Sequence, residues 1–353
     1  MSDKDLARRT VPEVIFAGVD ISTPISKCFL SMTYTDNEED ETDDLQIRIS
    51  DRENIWMERW LSEAIESAAG GAGFLISAAF ISENRYGDGK DKRLDCGQFQ
   101  LDCVTAEGPP AVIALKATSL PYGTQIRKTV KNKAWESHYL SKIAKEIASA
   151  GGMTCLYESS TDPYYPRLEQ LKTSDIKFLS TLCHNAGISL KVTNNIIVLF
   201  DQADYESKTP VLDIKYGDGA YIRWSLQSGE ADTGYASCRI SYVDPAKGLI
   251  EGLAYAEDEH YKNNGQRLEV TAKVSDSAEA KTLAAKRLRL ANKYGRRAWF
   301  ELPGNPDFMA GLTVTLTGFG MWSGGYIICQ AQHSLSRQGY VTQIALRRAL
   351  EGY

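Results

Sequence analysis

Carboxylates, imidazoles, thiols and glycine-rich turns are the groups that could do chemistry in this chain. The densest set is acidic. Asp36 to Asp44 reads DNEEDETDD, seven carboxylates in nine positions. A calcium loop needs oxygen ligands at fixed offsets, a mid-loop glycine and a bidentate Glu. This run has no glycine and the wrong offsets, so it reads as a solvated loop between two strands. Any two acids could meet in a fold and form a glycosidase pair, but no spacing selects one. The four histidines are His138, His184, His260 and His333, and no two stand at metal-ligand spacing. His184 follows Cys183, and adjacent helical residues point in different directions. Seven cysteines, Cys28, Cys96, Cys103, Cys155, Cys183, Cys238 and Cys329, form no CxxC and read as reduced, mostly buried thiols. Gly70-Gly71-Ala72-Gly73, Gly217-Asp218-Gly219 and Gly318-Phe319-Gly320 match neither a phosphate-binding lysine loop nor a strand–GxGxxG–helix unit. We therefore expect no catalytic set, no metal and no cofactor. One further charged group is basic: Lys281, Lys286, Arg287, Arg289, Lys293, Arg296 and Arg297. It suits a nucleic-acid face, a partner's acidic patch, or a solvated helix with Leu283, Ala284, Leu288 and Ala291 packed inward.

The elements that must position these groups are mostly strands. Glu13–Phe16, Cys28–Tyr34, Leu45–Ile49, Gly73–Ile81, Gln98–Val104 and Ala111–Ala117 are apolar or β-branched runs of strand length. Leu45-Gln46-Ile47-Arg48-Ile49 alternates strictly, so one face is buried and the other wet. This spacing predicts an antiparallel barrel or sandwich. Near Pro121 the character changes. Leu140, Ile143, Ala144, Ile147 and Ala148 share a helical face over 137–150, with Ser137 able to cap it and Gly151-Gly152 stopping it. A second helix runs from Asp175 to Ala186, with Ser174 as N-cap and Gly187 at its end. Two strands, Ile188–Val192 and Ile196–Phe200, flank the hairpin signal Asn194-Asn195. From 207 onward strands return, interrupted by the basic helix, which starts near Ser275-Asp276-Ser277 and ends at Gly295.

Composition sets the limits. The 353 residues suggest two or three domains with large cores. Apolar residues at 43% and charged residues at 24% exclude a disordered or collagenous chain. A net charge of −6 gives no general reason to bind nucleic acid or an anionic membrane. MSDKDLARRTV lacks the apolar core of a secretory signal. The uncharged run Phe308–Ser336 alternates and carries Gly turns, so it reads as strands rather than a membrane span.

Several stretches together resemble one family. They are Asp44–Asp51, the strand Leu94-Asp95-Cys96-Gly97-Gln98-Phe99-Gln100-Leu101-Asp102, Gly108-Pro109-Pro110, and Gln170 with Ser174-Asp175-Ile176-Lys177-Phe178-Leu179. Pro303-Gly304-Asn305-Pro306, Ala310-Gly311, Gly318-Phe319-Gly320, His333-Ser334-Leu335 and Gly339-Tyr340 follow in order. From Val11 to Arg348 the chain resembles the phage late-control protein D family, the baseplate hub of contractile phage tails and tail-like particles. The resemblance implies an α+β, β-dominated fold with two tube-like antiparallel β-barrels flanking a small α/β domain. The expected division is an arm over 1–11, a first barrel over 12–120, the α/β domain over 121–206, and a second barrel over 207–353. Within the second barrel the basic helix, 275–295, is an insertion with its charges directed outward or at a neighbour.

The resemblance implies a non-enzymatic homotrimer whose six barrels adapt the six-fold tail tube to the three-fold central spike. Its implied partners are further copies of itself, the spike, the tube, baseplate wedge proteins and the tape-measure protein, with no nucleic acid and no membrane insertion. Its implied place is the tail baseplate, after synthesis in the bacterial cytoplasm. Trp56, Trp60 and Trp322 are the interface candidates. Other readings are a tail-associated cell-wall or polysaccharide hydrolase, which needs convergent carboxylates or a metal, and a carbohydrate-binding β module. The latter needs those tryptophans in an exposed groove.

Overall fold

The strictly alternating run becomes a strand buried at Leu45, Ile47 and Ile49, and its neighbours repeat the pattern. The computed structural model describes residues 8–16, 19–39, 41–60, 74–85, 87, 89–119, 125–229, 234–257, 259–262 and 265–350. The first β unit holds β1 (Arg9–Phe16), β2 (Val19–Asp20), β3 (Phe29–Asn37), β4 (Asp44–Ser50), β5 (Leu75–Glu83), β6 (Lys92–Glu107) and β7 (Val112–Thr118), with helix α1 (Ser22–Cys28). The middle unit holds α2 (Gln125–Lys128), β8 (Val130–Tyr139), α3 (Leu140–Ala150), β9 (Thr154–Glu158), β10 (Tyr164–Ser174), α4 (Asp175–Ala186), β11 (Ser189–Thr193), β12 (Ile196–Phe200) and α5 (Gln202–Glu206). The last part holds β13 (Leu212–Lys215), β14 (Arg223–Ser228), β15 (Ser237–Asp244), β16 (Gly248–Tyr255), α6 (Glu259–Lys262), β17 (Arg267–Thr271), α7 (Ser277–Asn292), β18 (Arg296–Pro303), β19 (Thr313–Thr317), β20 (Gly324–Ser336) and β21 (Gly339–Arg348). The fold is β-dominated α+β.

The two outer β regions share one strand order. In the first, β1-β5-β6-β7-β4-β3 are successive neighbours. In the last, β13-β19-β20-β21-β18-β14 are successive neighbours. Taken along the chain, both sets visit these places in the same sequence. A bulge interrupts β6 between Leu101 and Cys103, and another interrupts β20 between Ile328 and Gln330. Aligning the bulges superimposes Leu45, Ile47 and Ile49 on Ala298, Phe300 and Leu302, so the buried faces coincide. The copies differ at one pairing, β1–β5 antiparallel against β13–β19 parallel. Pairing of β3 with β20 joins both sets into one 13-stranded sheet.

Three expectations need correction. Strands β15, β16 and β17 leave the large sheet, pair among themselves and pack on α7 around Cys238, Ile240, Ala280, Ala284 and Leu288. The insertion is thus a small sheet with its helix, because α7 has its own apolar stripe to bury. Ser137 does not cap α3. It lies in β8 at φ +57, and Tyr139 holds the N-cap position. The sequence reading also missed the ribbon of β8 and β10, whose faces are largely exposed and therefore show no alternation. The hairpin at Asn194-Asn195 forms, with φ of +47 and +61. This is the left-handed pair that two-residue turns require.

Candidate assembly surface and the charged junction behind it

Most of the acidic run is not solvated, although Glu41 and Asp44 are exposed. Asp36, Glu38, Glu39 and Asp43 are buried. Each faces a base delivered by another unit, because an unpaired carboxylate in that position would be strongly destabilising. Arg347 on β21 donates to both Glu38 oxygens, Nη2 to Oε1 at 2.7 Å and Nε to Oε2 at 3.1 Å. Its Nη1 reaches Glu206 of α5 at 2.5 Å. Arg289 of α7 pairs with the other Glu206 oxygen. Lys293 pairs with Glu39, which also accepts from Ser189 at 2.5 Å. Lys191 of β11 donates to Asp36 at 2.5 Å, and the Ala310 amide donates to the second Asp36 oxygen at 2.8 Å.

The electrostatics follow from burial. Burial pushes the Glu38 carboxyl up, against the pull of Arg347. Burial acts the same way on Glu39, but Lys293 and Ser189 outweigh it and hold the group low. Burial would lower Arg347, but Glu38 and Glu206 outweigh it and the guanidinium stays charged. Asp43 is pushed up to about 7, by burial first and then by Asp36, with Lys191 opposing.

The basic helix is corrected by the same observation. Lys286, Arg289 and Lys293 meet Asp201, Glu206 and Glu39 of their own chain, and Arg287 donates to the His184 carbonyl. Lys286, Arg287, Arg289 and Lys293 thus face inward, to a junction of all the units, while Lys281 and Arg297 stay exposed. The acidic patch considered as a partner's belongs to the same molecule.

Of the interface candidates, Trp56 is half-buried against the first core, its amide held by the Asp51 carboxylate at 3.0 Å. The Trp60 side chain lies outside the described residues. Trp322 is half-buried against Phe319 and its neighbours in the third core. The structure places Trp56 and Trp322 against different cores. Sequence reasoning missed a more exposed aromatic group, Trp224 on β14 with Tyr216, stacked edge-on to each other and to Phe319. The only signal was a Trp in an unusually exposed strand.

A cleft of about 870 Å³ lies between the β8–β10 ribbon and the sheet packed on α7. Its carboxylates are already engaged. Asp162 accepts from the amide and hydroxyl of Ser141 at 2.9 and 2.6 Å. Asp244 accepts from the turn amides of Ala246 and Lys247 at 2.8 and 3.0 Å, which holds it below the usual range. Glu279 accepts from Ser275. These are capping and turn bonds that fix the carboxylates on backbone amides and a hydroxyl. Among the described residues no group of three or more His, Cys, Asp or Glu could hold a metal. The seven cysteines form no disulfide, with Cys96, Cys183 and Cys238 buried and Cys103 exposed. No described helix is long and apolar enough to cross a membrane.

What remains is a body of linked β units with open strand edges, an arrangement suited to assembly. A tail protein from Neisseria meningitidis MC58 superposes with a TM-score of 0.68 at 11% identity, covering 96% of this chain and 97% of that one. The 43 kDa tail protein of prophage MuSo2 from Shewanella oneidensis superposes at 0.65 and 14% identity, covering 96% and 98%. The fold is that of phage tail proteins. In sequence, the chain is 27% identical over 236 residues to the probable baseplate hub protein of Escherichia phage P2, across 64% of this chain and 55% of that protein. The chain thus matches about half the length of this curated relative. No family model matches.

Proposed function

We propose that the chain is a structural baseplate hub of a contractile tail, a ring of three copies between the six-fold tail tube and the three-fold central spike. The observation that carries this is the repeated strand order. Each copy presents two β units of the same order, so three copies present six. Matching a six-fold tube on one side and a trimer on the other is what such a repeat makes possible. The hub relative and the tail-protein fold support the same reading. The resemblance to a baseplate hub protein supports a non-enzymatic role. In this role the chain meets its own copies, the spike, the tube, the baseplate wedge and the tape-measure protein, within the tail baseplate. A map of the assembled tail tests it. Three copies at the tube–spike junction are expected, and one or six would overturn the reading.

A further inference from the structure

We propose that the outer edge of β14 pairs antiparallel with Cys103–Glu107 of β6 in a second copy of this chain. This rests on the hub reading and names the contact that closes its ring. The chain already contains the joint once. β20 has two successive neighbours on one side, β19 along Gly324–Ile327 and β3 along Gln330–Ser336. Its structural equivalent, β6, pairs with β5 only as far as Gln100, and the Leu101 amide bonds Phe74. Beyond that point, among the described residues, β6 has only β7 beside it. The equivalent of β3 is β14, which ends the sheet path with β18 as its one neighbour among the described residues and with exposed residues along most of its length. An open edge and an open half-strand thus remain, and they are the two halves of a joint the chain builds internally. Six strands separate β14 from β6 along the sheet, so the partner is another copy. Such a head-to-tail contact closes a ring. It also covers an edge that would otherwise invite aggregation.

The register transfers with the bulges. Asn37 faces Gln330, Thr35 faces Gln332 and Tyr34 faces His333. The equivalent pairs are Gly229 with Cys103, Gln227 with Thr105 and Leu226 with Ala106. Side-chain chemistry agrees. In the internal joint Gln330 bonds Asn37 at 2.8 Å, Gln332 bonds Thr35 at 3.3 Å and Ser334 meets Thr33 at 3.4 Å, all on one face. The transferred pairs on that face, Gln227 with Thr105 and Ser225 with Glu107, are likewise polar. On the other face Leu226 meets Ala106, as Tyr34 faces His333 internally, and Val104 meets Ser228, as Ala331 faces Asp36, with Trp224 one pair beyond the stretch.

The test uses the native exposed thiol. The Glu38 amide donates to the Cys329 carbonyl at 2.9 Å, so Asn37 and Gln330 form a non-hydrogen-bonded pair. Such pairs bring side chains closest. Gly229→Cys places a thiol opposite Cys103 of the next copy in the same kind of pair, and a Cβ added at Gly229 meets open space. Tail particles carrying Gly229→Cys are oxidised and run without reductant. Linked dimers and trimers should hold most of the hub chains, disappear in Gly229→Cys with Cys103→Ser, and be absent in Gln227→Cys, two residues out of register. Linkage that survives Cys103→Ser, or particles with three hub copies and no linkage, overturns the pairing while leaving the hub reading intact. If the variant does not assemble, a map of wild-type particles decides: a neighbour of β14 other than β6 overturns the pairing, and a copy number other than three overturns the hub reading itself.

Discussion

Arg347 holds two carboxylates from two different units, and its position shows what the C-terminal strand is for. Its partner Glu38 lies 309 residues earlier in the chain. Replacing Arg347 by Met leaves Glu38 and Glu206 buried without their shared cation. We expect a loss of about 3–5 kcal/mol, the range for breaking a buried pair. Urea unfolding of R347M should show it, and adding Glu38→Gln to R347M should recover part of the loss, since it removes one stranded charge. His333 gives a second residue-scale prediction. Its ring sits between the Tyr340 hydroxyl at 2.7 Å and the Phe308 carbonyl at 2.8 Å, a set that satisfies the neutral imidazole. Burial lowers its pKa to about 4. In the unfolded chain the group titrates near 6.5. Between those values the unfolded state binds the extra proton, so stability falls as pH drops from about 6.5 to about 4, by roughly 3 kcal/mol. Asp43, raised to about 7, acts with the opposite sign in an overlapping window. The measurement is therefore the difference between wild type and His333→Gln across that range, and parallel pH profiles would refute it.

At the scale of elements, close backbone approach decides how the inserted sheet meets its helix. Gly252 on β16 lies against α7, and a Cβ there would stand 2.2 Å from the backbone of Ala280 and Lys281. Backbone cannot yield as a side-chain tip can, so Gly252→Ala must push α7 away. Overpacking of this kind costs about 1–3 kcal/mol. Because α7 also carries Lys286, Arg289 and Lys293, the displacement should loosen the junction. Hydrogen exchange should be faster in both α7 and β11 of G252A. Faster exchange confined to β15–β17 would show that the insertion is independent of the junction.

At the scale of the molecule, four hydrophobic cores are distinguishable among the described residues. Leu335 and Tyr340 from the last hairpin enter the first of them. That hairpin and the junction bind the two β units into one body, as the proposed ring subunit requires. The same logic predicts what assembly changes. Alternate amides of β14 and of Cys103–Glu107 face an open edge in the free chain. In the assembled tail they should exchange at least about tenfold more slowly, because edge amides gain strand partners. Unchanged exchange at both edges would place the subunit contact elsewhere.

The sequence by itself determined the local features. Alternation gave β4, the apolar stripes gave α3 and α4, Gly187 ends α4 in the left-handed conformation, and Asn194-Asn195 turns its hairpin. The order of β, α/β and β regions was also legible, since periods of two and of 3.6 residues are written in neighbouring positions. Only the tertiary structure decided where the charges go. A run of seven carboxylates looks solvated when read locally, because its compensating Lys and Arg lie far along the chain and leave no trace in the spacing. The same holds for β15–β17, which have strand character but pair away from the large sheet, and for β14, whose exposure marks an edge only once its neighbours are known. Periodicity reports which face of an element is buried; it does not say against what, because pairing and ion contact are set by packing between distant segments.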